Sequence, residues 1–267
     1  MQPQRYPIPS LTSMSELRFL VRPKWIGFHL LVVAGIVAMI NLGFWQLRRL
    51  DQRRDFNATI EARYDAPPIP LADADLGDPE AMEWFPVVVA GTYDQAASIQ
   101  IVNRSQGGRA GENTLTPLHL DDGRVLLVNR GFTPLSLTAP AAPTGPVTVE
   151  GRLRDTEHRR IGQLSDPADG VLEVAQRVDI ERLQEQFDAP LVPMYVDLMA
   201  SQPPDGSPFP EPVARPDLSE GSHLSYAVQW FLFSGALAVG WVLAVRHSIG
   251  TRRVSAARGE APAPTPS

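Results

Sequence analysis

The chain has 267 residues, of which 43 % are hydrophobic and 20 % are charged, and its formal net charge is −6. These values suit either one large soluble domain or a membrane protein with a smaller globular part, so the distribution of charge decides between them. There is no cysteine, which excludes disulfides, cysteine-ligated metals, a lipid-modified cysteine and thiol redox chemistry.

Two segments, 25–47 and 226–245, carry no formal charge over about 23 and about 20 residues. Roughly 20 helical residues span a hydrocarbon core of about 30 Å, and only a helix can place such a single segment in lipid with its backbone groups paired. Aromatic residues lie near the ends of both segments, as at membrane interfaces: Trp25, Trp45, Tyr226, Trp230 and Trp241. We therefore predict two transmembrane helices. The arginines after Leu47 and the lack of a small-residue cleavage site disfavour a cleaved signal peptide.

The basic residues indicate an orientation for these helices. Four arginines follow the second apolar segment and four cations precede the first, whereas 48–224 holds 16 Lys and Arg against 28 Asp and Glu. Because cytoplasmic segments are enriched in Lys and Arg, we expect both termini in the cytoplasm. The predicted segments are a cytoplasmic 1–24, helix 25–47, an extracytoplasmic domain 48–225, helix 226–245 and a basic, disordered cytoplasmic tail 246–267.

The central domain reads as α+β and dominated by antiparallel strands, arranged as a sheet or small barrel. Helical spacing continues to Tyr64 and ends at a proline cluster. Seven short segments rich in β-branched residues follow, with one short helix at 179–187: 84–93, 98–103, 114–119, 125–129, 147–153, 171–174 and 195–199. Asp121-Asp122-Gly123 predicts a hairpin turn. A proline-rich connector, 203–216, leads to the second helix.

Three blocks of sequence resemble the signatures of the Surfeit-locus-one family. They are Leu-Gly-Phe-Trp-Gln-Leu-Arg-Arg-Leu at 42–50, Val-Asn-Arg-Gly-Phe-Thr-Pro at 128–134 and His-Leu-Ser-Tyr-Ala-Val-Gln-Trp-Phe at 223–231. Their order, their spacing and the two-helix layout match the family across nearly the whole chain. The long connector and the arginine-rich tail resemble actinobacterial members more than mitochondrial ones.

The resemblance implies a non-enzymatic assembly factor in the plasma membrane for haem-copper cytochrome c oxidase. Such a factor acts on the maturation of the catalytic subunit and its haem a centre, so haem a is the implied, transient cofactor. The implied partners are oxidase subunits, the catalytic one first, a respiratory supercomplex and membrane lipid, with no nucleic acid. In bacterial members the histidine that opens the second helix is proposed to ligate haem, and His223 occupies that place.

Each candidate site residue has an alternative structural interpretation. His223 either ligates haem iron, with Tyr226 and Trp230 offering an aromatic face one and two turns on, or it only flanks the helix end. Arg130 either clamps a haem propionate or forms a salt bridge within the domain.

The same ambiguity applies within the helices. Trp45, Gln46 and Arg49 of the first helix, with Gln229 beside them on the second, either contact the client protein or lock the two helices together. His29, inside the first helix, either faces a partner or reaches the headgroup region.

Other classes of protein are less favoured. The chain contains no Gly-x-Ser-x-Gly, His-Glu-x-x-His or phosphate-loop motif, which argues against an enzyme. About 20 residues follow the second helix, too few for the output domain of a two-helix sensor. A permanently bound accessory subunit of the oxidase or supercomplex, without a haem role, is the serious alternative.

Overall fold

A computed structural model describes residues 18–206 and 208–259. Parts of the predicted N-terminal segment, connector and tail (1–17, 207 and 260–267) lie outside the described residues. The chain divides into two units, one formed by 1–55 with 219–267 and the other by 56–218. The helices are α1 (Pro23–Arg63), α2 (Pro79–Met82), α3 (Ile180–Gln184) and α4 (His223–Gly259).

The first unit contains the two predicted apolar helices. α1 and α4 are both long and apolar enough to cross a membrane, and only 11 % and 6 % of their most apolar windows are buried. Such low burial is typical of side chains that face lipid and is not typical of a helix in a soluble core. A 3-10 turn, Arg18–Val21, precedes α1. Residues 246–259 continue α4 as helix, whereas the sequence analysis included them in a disordered tail; alanines and arginines favour helix there, and the next proline is Pro262.

The second unit is a β domain of eight strands. They are β1 (Ile69–Pro70), β2 (Pro86–Tyr93), β3 (Ile99–Gln106), β4 (Arg109–Leu120), β5 (Val125–Pro134), β6 (Pro146–Arg154), β7 (Val174–Ala175) and β8 (Tyr195–Gln202). The sheet order is β1-β2-β6-β8-β5-β4-β3-β7, and an additional β2–β4 pairing closes a five-stranded barrel. Most pairings are antiparallel, which confirms the predicted fold class. The pairs β1–β2, β3–β7 and β5–β8 are parallel.

Strand β5 runs through the centre of this domain, and all ten of its residues are buried. Leu126 and Val128 face one hydrophobic cluster, while Val125 and Leu127 face a second. This alternation follows from the two-residue period of a strand, so both faces of β5 are covered. The predicted hairpin turn after β4 is present, with Gly123 at φ +84°.

Candidate functional site

α1 and α4 pack against each other along small residues. A side-chain carbon at Gly43 would lie 2.6 Å from the ring of Phe231, and one at Gly35 would lie 3.2 Å from Leu237. Gly43 of α1 faces Phe231 of α4, and the absence of a side chain at Gly43 makes room for the phenyl ring. Close approach of this kind is how apolar helices associate without a hydrophobic driving force.

The first residue of α4 is bonded to α1. Nδ1 of His223 lies 2.9 Å from Oε1 of Gln46. An amide oxygen can only accept a hydrogen bond, so Nδ1 carries the proton and donates it. In the neutral ring, Nε2 then keeps its lone pair. None of the hydrogen bonds among the described residues involves Nε2 of His223, so this nitrogen is available to a ligand.

Aromatic and cationic side chains flank this histidine. Tyr226 and Trp230 follow His223 at three and seven residues and therefore share its side of α4. On α1, Arg49 follows Gln46 by three residues and shares its side of the helix, whereas Trp45, two residues after the α4-facing Gly43, points about 200° away from α4.

One contact decides how these two sides relate. Phe44 packs against Phe231 with 5.5 Å between the ring centroids, on one flank of the helix pair. The other flank therefore gathers His223, Gln46, Arg49, Tyr226 and Trp230, which we call the His223 flank.

Two arginines of α1 hold the segment that leads into α4. Nε of Arg53 donates to the carbonyl of Ser219 at 3.0 Å, and Arg54 binds both carboxylate oxygens of Glu220 at 2.7 and 3.1 Å. The hydrogen bond from Arg54 lowers the pKa of Glu220 from its ordinary value. These bonds fix the start of α4. Arg49, by contrast, is exposed and bonds only Gln52 of its own helix among the described residues.

Gln229 is not part of the His223 flank. The amide oxygen of Gln46 is bonded to His223, and Gln229 is exposed with no hydrogen bond to Gln46. The expectation that Gln229 lies beside Gln46 is therefore wrong. Ala227 is buried on the side of α4 that faces α1. Gln229 follows it by two residues, and its side chain therefore points about 200° away from that side of the helix.

His29, the histidine within the apolar part of α1, is far from His223. Nε1 of Trp241 donates to Nδ1 of His29 at 2.9 Å. Because Gln46 follows His29 by 17 residues, the two histidine sites are separated by about 25 Å along α1. His29 therefore does not face the His223 flank.

Arg130, the candidate propionate ligand, lies inside the β domain. Its guanidinium is completely buried and forms an ion pair with Asp205. Nε donates to Asp205 at 2.7 Å and Nη1 to the carbonyl of Pro140 at 3.0 Å. The structure thus has the salt bridge within the domain, and the buried guanidinium is closed to a propionate.

The neighbours of Arg130 hold the connector against β5. Gly131 has φ +125°, and a side-chain carbon there would lie 2.1 Å from the carbonyl oxygen of Glu211. Phe132 exchanges two backbone hydrogen bonds with Glu211, of 2.7 and 2.8 Å. Only glycine fits this approach. The Asn-Arg-Gly block of the sequence therefore fastens the chain that leads from β8 to α4.

Asn129, the first residue of that block, donates a hydrogen bond to a buried carboxylate. Its Nδ2 donates to Asp197 at 2.7 Å, and Arg154 donates to the other oxygen of Asp197 at 3.0 Å. Burial raises the pKa of Asp197, against the opposing influence of Arg154 and Asn129. Arg154 also stacks on Trp84, 3.8 Å from the ring centroid.

Comparison with known proteins places the chain in a family. The model of the SURF1 family matches residues 33–235, a range that contains all three sequence blocks. The chain belongs to the SURF1 family. A SURF1-like protein of Mycobacterium tuberculosis is 29 % identical over 240 residues, which cover 85 % of each chain. Surfeit locus protein 1 of Homo sapiens is 27 % identical over 227 residues, covering 77 % of this chain and 73 % of its own.

The SURF1 membership confirms the resemblance, but several site residues escaped the sequence analysis. Asp205 and Asp197 are acidic residues in an acidic domain, so nothing in the sequence singled them out. For Asp205 the one available signal was the Asp-Gly pair at 205–206, a turn pattern within the proline-rich connector.

Proposed function

We propose that this protein is a membrane-bound assembly factor for haem-copper cytochrome c oxidase, which assists the maturation of the catalytic subunit and its haem a centre. Membership of the SURF1 family supports this proposal, together with two helices suited to a membrane. In this proposal both termini lie in the cytoplasm, so that the β domain and the start of α4 lie outside it.

The hydrogen bond between His223 and Gln46 is the observation that carries the proposal. It orients the imidazole with Nδ1 as the donor, so that in the neutral ring Nε2 keeps the lone pair that ligates iron. Metal-binding histidines usually donate their other N–H to a neighbouring oxygen, as His223 does to Gln46. Haem, when bound, would supply an iron that an imidazole can ligate, an apolar ring and two acidic propionates.

The remaining residues of the His223 flank suit such a ligand. Tyr226 and Trp230 offer aromatic surface beside the imidazole, against which an apolar macrocycle can stack. Arg49 is exposed and has no acidic partner among the described residues, so its guanidinium is free to bind a propionate. Arg49 therefore replaces the buried Arg130 as the proposed propionate ligand. The protein itself catalyses no reaction in this proposal; it holds haem or the haem-binding client in position.

A clean deletion tests the proposed function. Membranes of the deletion strain should lose absorbance of haem a while b- and c-type haems stay near their normal content, and a wild-type copy should restore it. Absorption spectra of the protein purified from native membranes, and identification of the polypeptides that accompany it, provide the second measurement. Unchanged oxidase activity and haem a content in the deletion strain would contradict the proposal.

A permanently bound accessory subunit is the second candidate. The exposed amide of Gln229 lies within the apolar stretch of α4, where a polar group is costly unless a partner binds it. A permanent subunit would be present in purified mature oxidase at one copy per enzyme. An assembly factor would be found with immature forms and be depleted from the mature enzyme.

A further inference from the structure

The end of the helix pair opposite to His223 contains a small cavity. It has a volume of about 280 Å³ and is lined by Trp25 of α1 and by Ser248, Thr251 and Arg252 of α4. Because α1 begins and the apolar part of α4 ends here, the cavity lies at the boundary between apolar and charged sequence. No residue of the His223 flank lines it.

Arg252 is held in place at this cavity by an aromatic ring. Its guanidinium carbon lies 4.2 Å from the ring centroid of Phe19, and Phe19 is only 4 % exposed. Phe19 in turn packs edge-on against Trp25, with 5.2 Å between centroids. The cation is thus positioned over the ring, and its N–H groups remain available to a ligand. Among the described residues, Arg252 forms no ion pair or side-chain hydrogen bond.

Charge at this end is of one sign. The cations in the sequence there are Arg18, Arg22, Lys24, Arg246, Arg252, Arg253 and Arg258. No Asp or Glu occurs in 18–50 or in 221–259, so no carboxylate of these stretches competes for the guanidinium. An anion is therefore the ligand that the site favours.

The hydroxyl of Ser248 adds a second requirement. It donates to the carbonyl of Ala244 at 2.9 Å, so its proton is used and its oxygen remains an acceptor. A ligand that carries both a phosphate oxygen for Arg252 and a hydroxyl for Ser248 matches these groups. Trp25 borders the cavity, and tryptophan favours the level of lipid headgroups.

We infer that this cavity binds the headgroup of an anionic glycerophospholipid, with the phosphodiester at Arg252. Basic pockets at the ends of membrane helices bind such headgroups, and bidentate guanidinium–phosphate contacts make them specific. The site concerns lipid alone and does not depend on the oxidase role. Inorganic phosphate shares the chemistry of the phosphodiester, so the test has to separate the two.

Binding of phosphatidylglycerol to the full-length protein in detergent, measured by native mass spectrometry against phosphatidylcholine, tests the inference. Arg252→Gln should weaken phosphatidylglycerol binding about five-fold, the effect of about 1 kcal/mol per cation near an anionic headgroup. Phe19→Leu changes no charge but removes the ring beneath the guanidinium, and should also weaken binding. Arg246→Gln removes a cation that does not line the cavity and is the matched control.

The outcomes separate a defined site from diffuse attraction. Weaker binding in Arg252→Gln and Phe19→Leu than in Arg246→Gln supports the site, provided the helix content of the variants is unchanged. Equal losses in Arg252→Gln and Arg246→Gln, with none in Phe19→Leu, overturn it in favour of diffuse charge. Displacement of phosphatidylglycerol by an equal concentration of inorganic phosphate, at constant ionic strength, assigns the cavity to a free anion and overturns the lipid assignment.

Discussion

The indole N–H of Trp241 donates to Nδ1 of His29, with 2.9 Å between the two nitrogens. Nδ1 is therefore the unprotonated nitrogen of a neutral His29 ring, and Nε2 carries the proton. His223 has the opposite tautomer, since its Nδ1 donates to Gln46. Of these two histidines, only His223 has the tautomer whose neutral ring presents an Nε2 lone pair, so the two differ in their capacity to ligate iron.

His223→Ala should abolish haem co-purification, whereas His29→Ala should leave the haem content per protein unchanged. The reason is that Nε2 of His29 carries a proton, whereas a nitrogen that ligates iron needs a lone pair. Absorption spectra normalised to protein in membranes provide the measurement. Equal losses of haem in both variants would refute the distinction drawn from the tautomers.

Gln46→Leu should lower haem affinity by about 10- to 100-fold, the usual cost of losing the group that orients a metal-binding histidine. Gln46→Glu keeps an oxygen that accepts from Nδ1 and should retain most of the haem. Haem titration of the purified variants measures both. If Gln46→Leu binds haem as tightly as the wild type, Gln46 only packs the helices.

Gly43→Val should destabilise the helix pair by about 1–3 kcal/mol, because the added carbon would collide with the ring of Phe231. Gly27→Val is the matched control, since nothing lies within 4 Å of a side-chain carbon at Gly27. Thermal unfolding in detergent, followed by circular dichroism, compares the two variants. Equal shifts in Tm would show that the loss of glycine in a helix matters more than the contact with Phe231.

Arg130→Met should lower the free energy of unfolding of the β domain by about 3–5 kcal/mol, because it leaves the carboxylate of Asp205 buried without its partner. Proteolysis should also cut the connector sooner in this variant. Arg124→Gln breaks an exposed ion pair with Asp122 and should cost about 1 kcal/mol or less. Similar stability of the two variants would contradict a structural role for Arg130.

The raised pKa of Asp197 predicts a pH dependence with a definite sign. The folded domain holds the proton of Asp197 more tightly than the unfolded chain, so its contribution to stability is complete below the ordinary aspartate pKa of about 3.9. That contribution is lost as the pH rises through the raised folded value. The stability of the wild type relative to Asp197→Asn should therefore fall as the pH rises, in denaturant unfolding of the full chain. A difference that grows with pH would mean that Arg154 outweighs burial.

The sequence by itself determined the two apolar helices, most of the strands and the family. Length and absence of charge identify a membrane-spanning helix without any knowledge of its neighbours, because every backbone group bonds within the helix. Strand segments follow equally from local composition. The parallel β5–β8 pairing does not, because it joins residues about 68 positions apart, such as Asn129 and Asp197.

Only the tertiary structure decided what the site residues contact. The rotation of α1 against α4 selects His223 as the partner of Gln46 and turns Gln229 away, and this rotation depends on the fit of Phe231 over Gly43. Likewise, Arg130 could have met any of 30 acidic residues. The path of the connector over Gly131 brings Asp205 to Arg130. The sequence alone does not identify the partner of a charged residue, because the distance between two charges depends on the path of the backbone.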